Sequence, residues 1–436
     1  VIEEAKKLHV DHAEAFFEEG EELSIEVRDS EVENLKVARE AGLGVRVIQG
    51  NRLGYAYTSK LGREDVIETL KAALANAKAA SEDPYYSLPR PAANYPQLDL
   101  EDPQMGQISL EEKIELARQM ERSGRSFDPL VKLTEQISYE EVRYENAIAN
   151  TEGVLLTSKG TYCGGAAAFV AGKDGDLQTG FAVDFKRRVR DLDPEAIGRE
   201  AAAKAVRMIG ALRLPTKRVP VVMDPYVVVN FLGMLSSALT AEAVQKGRSL
   251  FAGKVGKKVA APEVNIADDG TKPDGVLSMP FDGEGVPTRR TILIENGVLK
   301  GFLHNTYTAA KDGVLSTGNA VRGSYQSPPQ LGSTNFYLAP GKWKPDDIIR
   351  DTGEGFYLTE VMGMHTANPI SGDFSLGAAG IWIHNGELTT PVRGMVIAGN
   401  ILELLERVDA VGSDLRFFGS RGAPTIRVAS LTVSGQ

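Results

Sequence analysis

Apolar and polar residues alternate in the first part of the chain, shift to a helical spacing, and then repeat that change further on. Leu23, Ile25 and Val27 lie two apart, as along a half-buried strand. Leu43, Val45 and Val47 keep that period, Gly50-Asn51 supplies a turn, and Leu53, Tyr55 and Tyr57 return as a partner strand. From about Arg63 the spacing changes, and Val66, Leu70, Ala73 and Ala77 fall on one helical face. Pro84 to Pro103 reads as a loop. Ser109 with Glu112 forms a capping box for a helix ending near Gly124.

A similar order follows. Thr134 to Tyr144, Gly153 to Thr157 and Gly164 to Phe185 read as strands, with Gly172 to Gly175 as a turn. Asp193 and Pro194 start a helix as N-cap and first residue, with Ile197, Ala201, Ala205 and Met208 on one face. Two such units suggest an internal duplication. Leu214 to Arg218 reads as a boundary, which divides the chain into domains at residues 1–215 and 216–436. Beyond it, Val219 to Met223 is a strand and Asp224-Pro225 caps a helix to about Leu239. Strand signals then dominate, with two-residue hairpins at Asn296-Gly297 and Asn385-Gly386. The expected class is α+β: strand, hairpin and helix repeats followed by a β-rich C-terminal domain.

The chain's 436 residues exceed a typical single core, which agrees with two domains. A net charge of −10 disfavours a broad nucleic-acid footprint, so no direct nucleic-acid partner is expected. Cys163 is the single cysteine, which excludes an internal disulfide and thiolate clusters. No run reaches the about 20 apolar residues of a membrane span, and the first residues carry no apolar signal core. A cytoplasmic protein without a membrane partner is the expectation.

Familiar chemistry is absent from the sequence. None of His9, His12, His304, His365 and His384 forms a zinc pattern. His9 and His12 are expected on a solvated helix face, His384 on a surface strand, and His304 near a strand end. Gly-x-Ser-x-Gly is missing, and Gly253 to Lys258 lacks P-loop spacing. Gly42-x-Gly44 lies inside a strand pair, and Asp268 to Asp274 reads as a solvated loop without EF-hand spacing. Two segments stand out. Ser316 to Pro329 sets Arg322 and Tyr325 among small residues, as a loop open to a partner would. Gly363 to Ser375 collects His365, Asn368 and Asp373; a turn at Asn368-Pro369 could bring imidazole and carboxylate together, or the polar side chains could simply bond their own loop.

These segments, with Leu293 to Leu299, Ile397 to Asn400 and Leu431 to Gly435, resemble the TldD/PmbA "modulator of DNA gyrase" family, which is metallopeptidase-related. The resemblance spans the chain and is densest after Val219. It implies a two-domain α+β protein working as a pair of related subunits. In the TldD type, His-Glu-x-x-x-His and a late cysteine hold a metal. An ungapped match anchored on Lys246 to Gly253 puts Leu232, Gly233 and Ser237 at the His, Glu and His positions, and no cysteine follows Cys163. Leucine and glycine cannot ligate a metal. The resemblance therefore implies the PmbA/TldE type: no catalytic residue and no metal in this chain, with zinc only in a TldD-like partner. Its expected partners are that subunit and a peptide or unfolded segment, or a second copy when alone. Arg322, Tyr325, His365, Asn368 and Asp373 are the candidate substrate-binding residues. The alternatives are a stand-alone regulator acting on gyrase or a toxin–antitoxin system, and a hydrolase with its own site around His365 and Asp373.

Overall fold

A computed structural model describes residues 1–435. After helix α1 (Ile2–Lys7), the N-terminal half builds one antiparallel sheet ordered β3-β2-β1-β4-β5-β6. Its strands are β1 (His12–Arg28), β2 (Glu31–Gln49), β3 (Arg52–Thr58), β4 (Val131–Asn150), β5 (Leu155–Lys173) and β6 (Asp176–Lys186). Two three-stranded meanders thus meet where β1 pairs with β4. Three helices cover this sheet: α2 (Arg63–Ala79), α3 (Leu110–Arg125) and α4 (Pro194–Val206).

Local signals set the helix ends. Ser109 Oγ accepts from the Glu112 N–H, and Glu112 accepts from the Ser109 N–H at 2.8 Å. Asp193 accepts from the Ala196 N–H at 2.9 Å, with Pro194 in the first turn. Each meander then seats its helix on a glycine of its third strand. A Cβ at Gly54 would stand 2.0 Å from the Ala73 carbonyl, and one at Gly180 would stand 2.2 Å from that of Ala201. Only glycine lets backbone approach backbone so closely.

Two expectations change here, and β3 stands as read. On β3, Gly54 and Ala56 pair with Val47 and Val45 and share their helix-facing side, so Leu53, Tyr55 and Tyr57 lie on the other face. The strands read separately at Gly153 to Thr157 and from Gly164 onward join in one continuous β5, where Gly160 and Gly164 leave room for the Tyr144 and Phe185 rings. His9 and His12 share no helix. α1 stops at Lys7, His9 turns the chain with φ 55°, and His12 opens β1 with Nδ1 2.9 Å from Glu152 Oε1.

The C-terminal half holds two sheets around one core. In the first, β7 (Lys217–Met223) lies parallel to β14 (Gly355–Met362) and antiparallel to β20 (Ile426–Ser434). Strand β15 (Asp373–His384) joins β14 to β16 (Glu387–Asn400), and β16 pairs with β20, closing the sheet on itself; β17 (Val408–Val411) adds to β20. The second sheet runs β10 (Val298–Leu299), β9 (Arg290–Glu295), β8 (Ile266–Asp269), β13 (Phe336–Leu338), β19 (Arg421–Ala423) and β18 (Arg416–Phe418). Helix α5 (Pro225–Ala238) packs between them, touching β14 of one and β13 and β19 of the other. It buries Val227, Val228, Phe231, Leu232 and Leu235. Apolar burial on this scale is the main stabilising term of such a core. Short helices α6 (Ala241–Gln245), α7 (Thr306–Asp312), α8 (Pro345–Thr352) and α9 (Ile401–Glu406) and the hairpin β11 (Ala320–Val321) and β12 (Gln330–Leu331) complete it. No described helix is long and apolar enough to cross a membrane.

The segment Asp268 to Asp274 is not wholly a solvated loop. Asp268 lies within β8 inside the protein, 1 % exposed, and accepts from the Thr334 N–H, the Thr334 hydroxyl and Asn319.

Candidate functional site

The segment Ser316 to Pro329 lies against the N-terminal sheet, on the face opposite its helices. Arg322 follows β11 and is nearly fully buried. Its guanidinium donates to Glu14 of β1 and, at 2.7 Å, to the Gly283 carbonyl, and it stacks 4.5 Å from the Phe16 ring. The Tyr325 N–H donates to Glu18 at 2.8 Å, and its carbonyl accepts from the Tyr55 hydroxyl at 2.7 Å. Gly42 and Gly44 of β2 make room for it. A Cβ at Gly42 would fall 2.2 Å from the Tyr325 ring, and one at Gly44 would fall 2.4 Å from its carbonyl. The pair Gly42-x-Gly44 therefore marks a close approach between domains. The backbone at Tyr325 is engaged within the chain at both its N–H and its carbonyl.

Charges alternate behind that contact. Arg46, 5 % exposed, donates to Glu14 and at 2.8 Å to Glu284. Burial opposes its charge, but Glu14 and Glu284 outweigh that and hold it protonated. Asp282 lies alongside and accepts from the N–H groups of Glu284, Val286 and Ala320. Burial, then the charge of Glu284, pushes the Asp282 carboxyl up to about 7. The Glu284 carboxyl moves down: burial raises it, but Arg46 and the Thr306 N–H more than offset that. The sequence offered one sign of this cluster, Arg46 between Val45 and Val47, a charge in an otherwise apolar stretch. Glu14, Glu18 and Glu284 carried no local sign.

The second segment turns back on itself. Gly363 introduces a short 3-10 turn, Met364–Thr366, which carries His365 exposed. The Asn368 side chain accepts from the N–H groups of Ile370 and Ser371, and its own N–H donates to the Asp373 carbonyl. Asp373 accepts from the Ser371 hydroxyl at 2.7 Å and from Asn400 at 2.9 Å. Those two hydrogen bonds hold its carboxyl below the usual range. Asn368 and Asp373 thus shape the loop, and no hydrogen bond joins Asp373 to His365 among the described residues.

A cleft of about 380 Å³ opens beside the C-terminal half of α5. Gly233, Ser236 and Ser237 of α5 line it with Thr240, Glu242, Lys246, Arg248, Gly332, Ser333 and Arg421. Three of the chain positions matched to His-Glu-x-x-x-His sit at or beneath it. Leu232 points into the core and is 2 % exposed. Gly233 carries no side chain, and a Cβ there would stand 3.1 Å from Arg421 Nη1. The Ser237 hydroxyl donates to the Met234 carbonyl at 3.0 Å. A leucine, a glycine, an engaged serine and a guanidinium do not fit a zinc ion, which needs imidazole, thiolate or carboxylate donors and is repelled by positive charge. No cluster of three His, Cys, Asp or Glu able to hold a metal occurs among the described residues.

Models of three PmbA/TldA metallopeptidase domains match the chain: domain 1 over residues 13–79, the central domain over 104–209 and the C-terminal domain over 216–435. The first two share the single N-terminal sheet. A metalloprotease named PmbA from Escherichia coli O157:H7 is 29 % identical over 418 residues, which cover 95 % of this chain and 90 % of that protein. A solved structure from Thermotoga maritima, of a candidate modulator of a DNA gyrase, is 31 % identical, covers 99 % of this chain and 97 % of that one, and superposes with a TM-score of 0.92. TldE from Thermococcus kodakarensis is 26 % identical, covers 100 % and 99 %, and superposes at 0.93. The chain belongs to the PmbA/TldD metallopeptidase family.

Proposed function

We propose that this chain is a PmbA/TldE-type subunit without a catalytic metal, which works with a TldD-type metallopeptidase subunit on peptides or unfolded segments. One observation carries the reading: at the positions where the TldD type is expected to place His, Glu and His, this chain has Leu232 in the core, Gly233 under Arg421 and Ser237 bonded to its own helix. The likeness to a TldE structure supports the same assignment. Zinc and the attacking water then belong to the partner, and this chain contributes surface. A strand-rich C-terminal domain suits that task, because an extended peptide is held largely through backbone hydrogen bonds.

Of the five candidate binding residues, His365 is the side chain free to meet substrate or partner, on a loop shaped by Asn368 and Asp373. Arg322 and Tyr325 serve the contact between domains. The test is to purify the chain alone and together with a TldD-type subunit bearing His-Glu-x-x-x-His. Peptidase activity and zinc should appear only in the mixture. About one tightly held zinc per chain in the isolated protein, with chelator-sensitive cleavage, overturns the reading.

A further inference from the structure

Several arginines of this chain are committed to partners within it, whereas two exposed ones are not. Arg46, Arg187, Arg322 and Arg427 each satisfy several carboxylate or carbonyl oxygens. Arg421 and Arg248 differ. Both line the cleft beside α5, and neither side chain has a hydrogen bond or ion pair with another described residue. Lys246 lines the same cleft but is paired with Glu242. The cleft therefore holds two uncompensated guanidinium groups on a chain of net charge −10.

Arg421 is also placed. It opens β19, and its guanidinium lies over the bare backbone of Gly233, with Nη1, Cζ and Nε at 3.1, 3.4 and 3.8 Å from where a Cβ would be. That spread of distances, over three atoms of one planar group, shows the guanidinium resting on the helix surface. Guanidinium forks match carboxylate oxygens in a bidentate geometry. The serines opposite supply the other half of a peptide's requirements. Ser236 and Ser237 donate their protons to the Gly233 and Met234 carbonyls, so towards the cleft they are acceptors, suited to backbone N–H groups.

We propose that this cleft is a carboxylate-binding site, which takes the free C-terminal carboxylate or an acidic side chain of a peptide on Arg421 and Arg248. The choice of a peptide as ligand rests on the subunit reading above; the cationic cleft stands on its own geometry. A position that would serve metal chemistry in a TldD-type subunit becomes, in this chain, an anchor for the peptide.

The experiment uses the isolated full chain and fluorescence anisotropy. The probe is a fluorescein-labelled eight-residue alanine-threonine peptide with a free C-terminal carboxylate. Its C-terminal amide, and an amide carrying one internal glutamate, are compared with it. The free acid should bind, and the plain amide should bind at least about tenfold more weakly, the scale of losing a charge-assisted hydrogen bond. Recovery with the internal glutamate identifies side-chain carboxylates as ligands; no recovery identifies the C-terminus. Arg421→Gln and Arg248→Gln should each weaken the free acid by about tenfold or more. Gly233→Glu, which sets a carboxylate beside Arg421, should abolish binding. Circular dichroism confirms that each variant folds. Equal affinity for all three peptides, absence of binding, or full affinity in Arg421→Gln overturns the proposal. Pairing with a TldD-type subunit is read separately, so failure of either idea leaves the other's result visible.

Discussion

Arg322 of the C-terminal domain and Glu14 of the N-terminal domain form a buried ion pair across 308 residues of sequence, at 3 % and 1 % side-chain exposure. Glu14 also meets Arg46, which meets Glu284, so two carboxylates and two guanidinium groups alternate through the contact. Burial and the charge of Glu284 raise the Asp282 carboxyl beside them, so a third negative charge forms there less readily than on a free carboxylate. Such pairs add little net stability compared with apolar packing, yet breaking one leaves a charge buried and uncompensated.

Arg322→Gln should therefore cost about 3–5 kcal/mol, and the double variant with Glu14→Gln should cost less than the sum of the two single changes. Urea denaturation of the four proteins gives the coupling. Simple additivity would show that the pair does not act as a unit.

Glycine seats should be as sensitive as charges. Gly54→Ala and Gly180→Ala each drive a methyl into helix backbone, which cannot swing away as a side chain can. About 1–3 kcal/mol or more should be lost at each, as in overpacked cores. Gly20→Ala in β1 is the control, since its Cβ would stand 3.8 Å from the Arg143 carbonyl, an ordinary contact. Thermal unfolding should rank the control close to wild type and the other two well below it.

Stability should fall as pH rises from about 4 towards 7. Burial first raises Asp268 to about 6 and Asp282 to about 7, above the ordinary 3.8. In that window the folded chain holds protons that the unfolded chain has released, so folding weakens with rising pH, by at most about 1.4 kcal/mol per unit for each group. Glu284 and Glu200, whose carboxyls move down, act in the opposite sense and lose their contribution as pH drops below their ordinary 4.5. Asp282→Asn should flatten the change in denaturant midpoint between pH 5 and pH 8, even where it lowers stability overall. An unchanged slope would show that Asp282 titrates normally.

His365→Ala should leave the melting temperature unaltered, because the imidazole is exposed and takes no part in the loop's hydrogen bonds. Asp373→Ala should lower it slightly by freeing Ser371 and Asn400. Under the subunit reading, His365→Ala also slows peptide cleavage by the complex with a TldD-type partner. Full cleavage by a normally paired His365→Ala complex removes this residue from the functional surface.

Features fixed within a few residues were legible in the sequence. The Ser109 capping box, the Asp193-Pro194 start and the Asn296-Gly297 and Asn385-Gly386 hairpins stand as read, because cap and turn chemistry is local. The long strands were harder. β4 runs 20 residues through Glu145 and Asn146, and nothing local announces that a polar stretch stays paired. β3 alternates as expected, and it is Gly54 that lies beneath α2. The candidate loops divide by the same logic. Asn368 and Asp373 each bond a serine of their own turn, whereas the carboxylate partners of Arg322 and Tyr325 lie 308 and 307 residues away.

Closure of the C-terminal sheet has a consequence for synthesis. Strand β20 pairs with β7, β16 and β17, so the strand that opens the domain is held in register by one that follows all its other partners in the chain. As the chain leaves the ribosome, β7, β14, β15 and β16 emerge in turn with unsatisfied edges, the kind of surface on which nascent chains stick to one another. The closed sheet stays unlatched until the nine residues of β20 have joined it. The yield of folded protein should accordingly depend on how soon β20 follows its partners, and a ribosomal pause placed just before Ile426 should raise aggregation more than the same pause placed before Lys217.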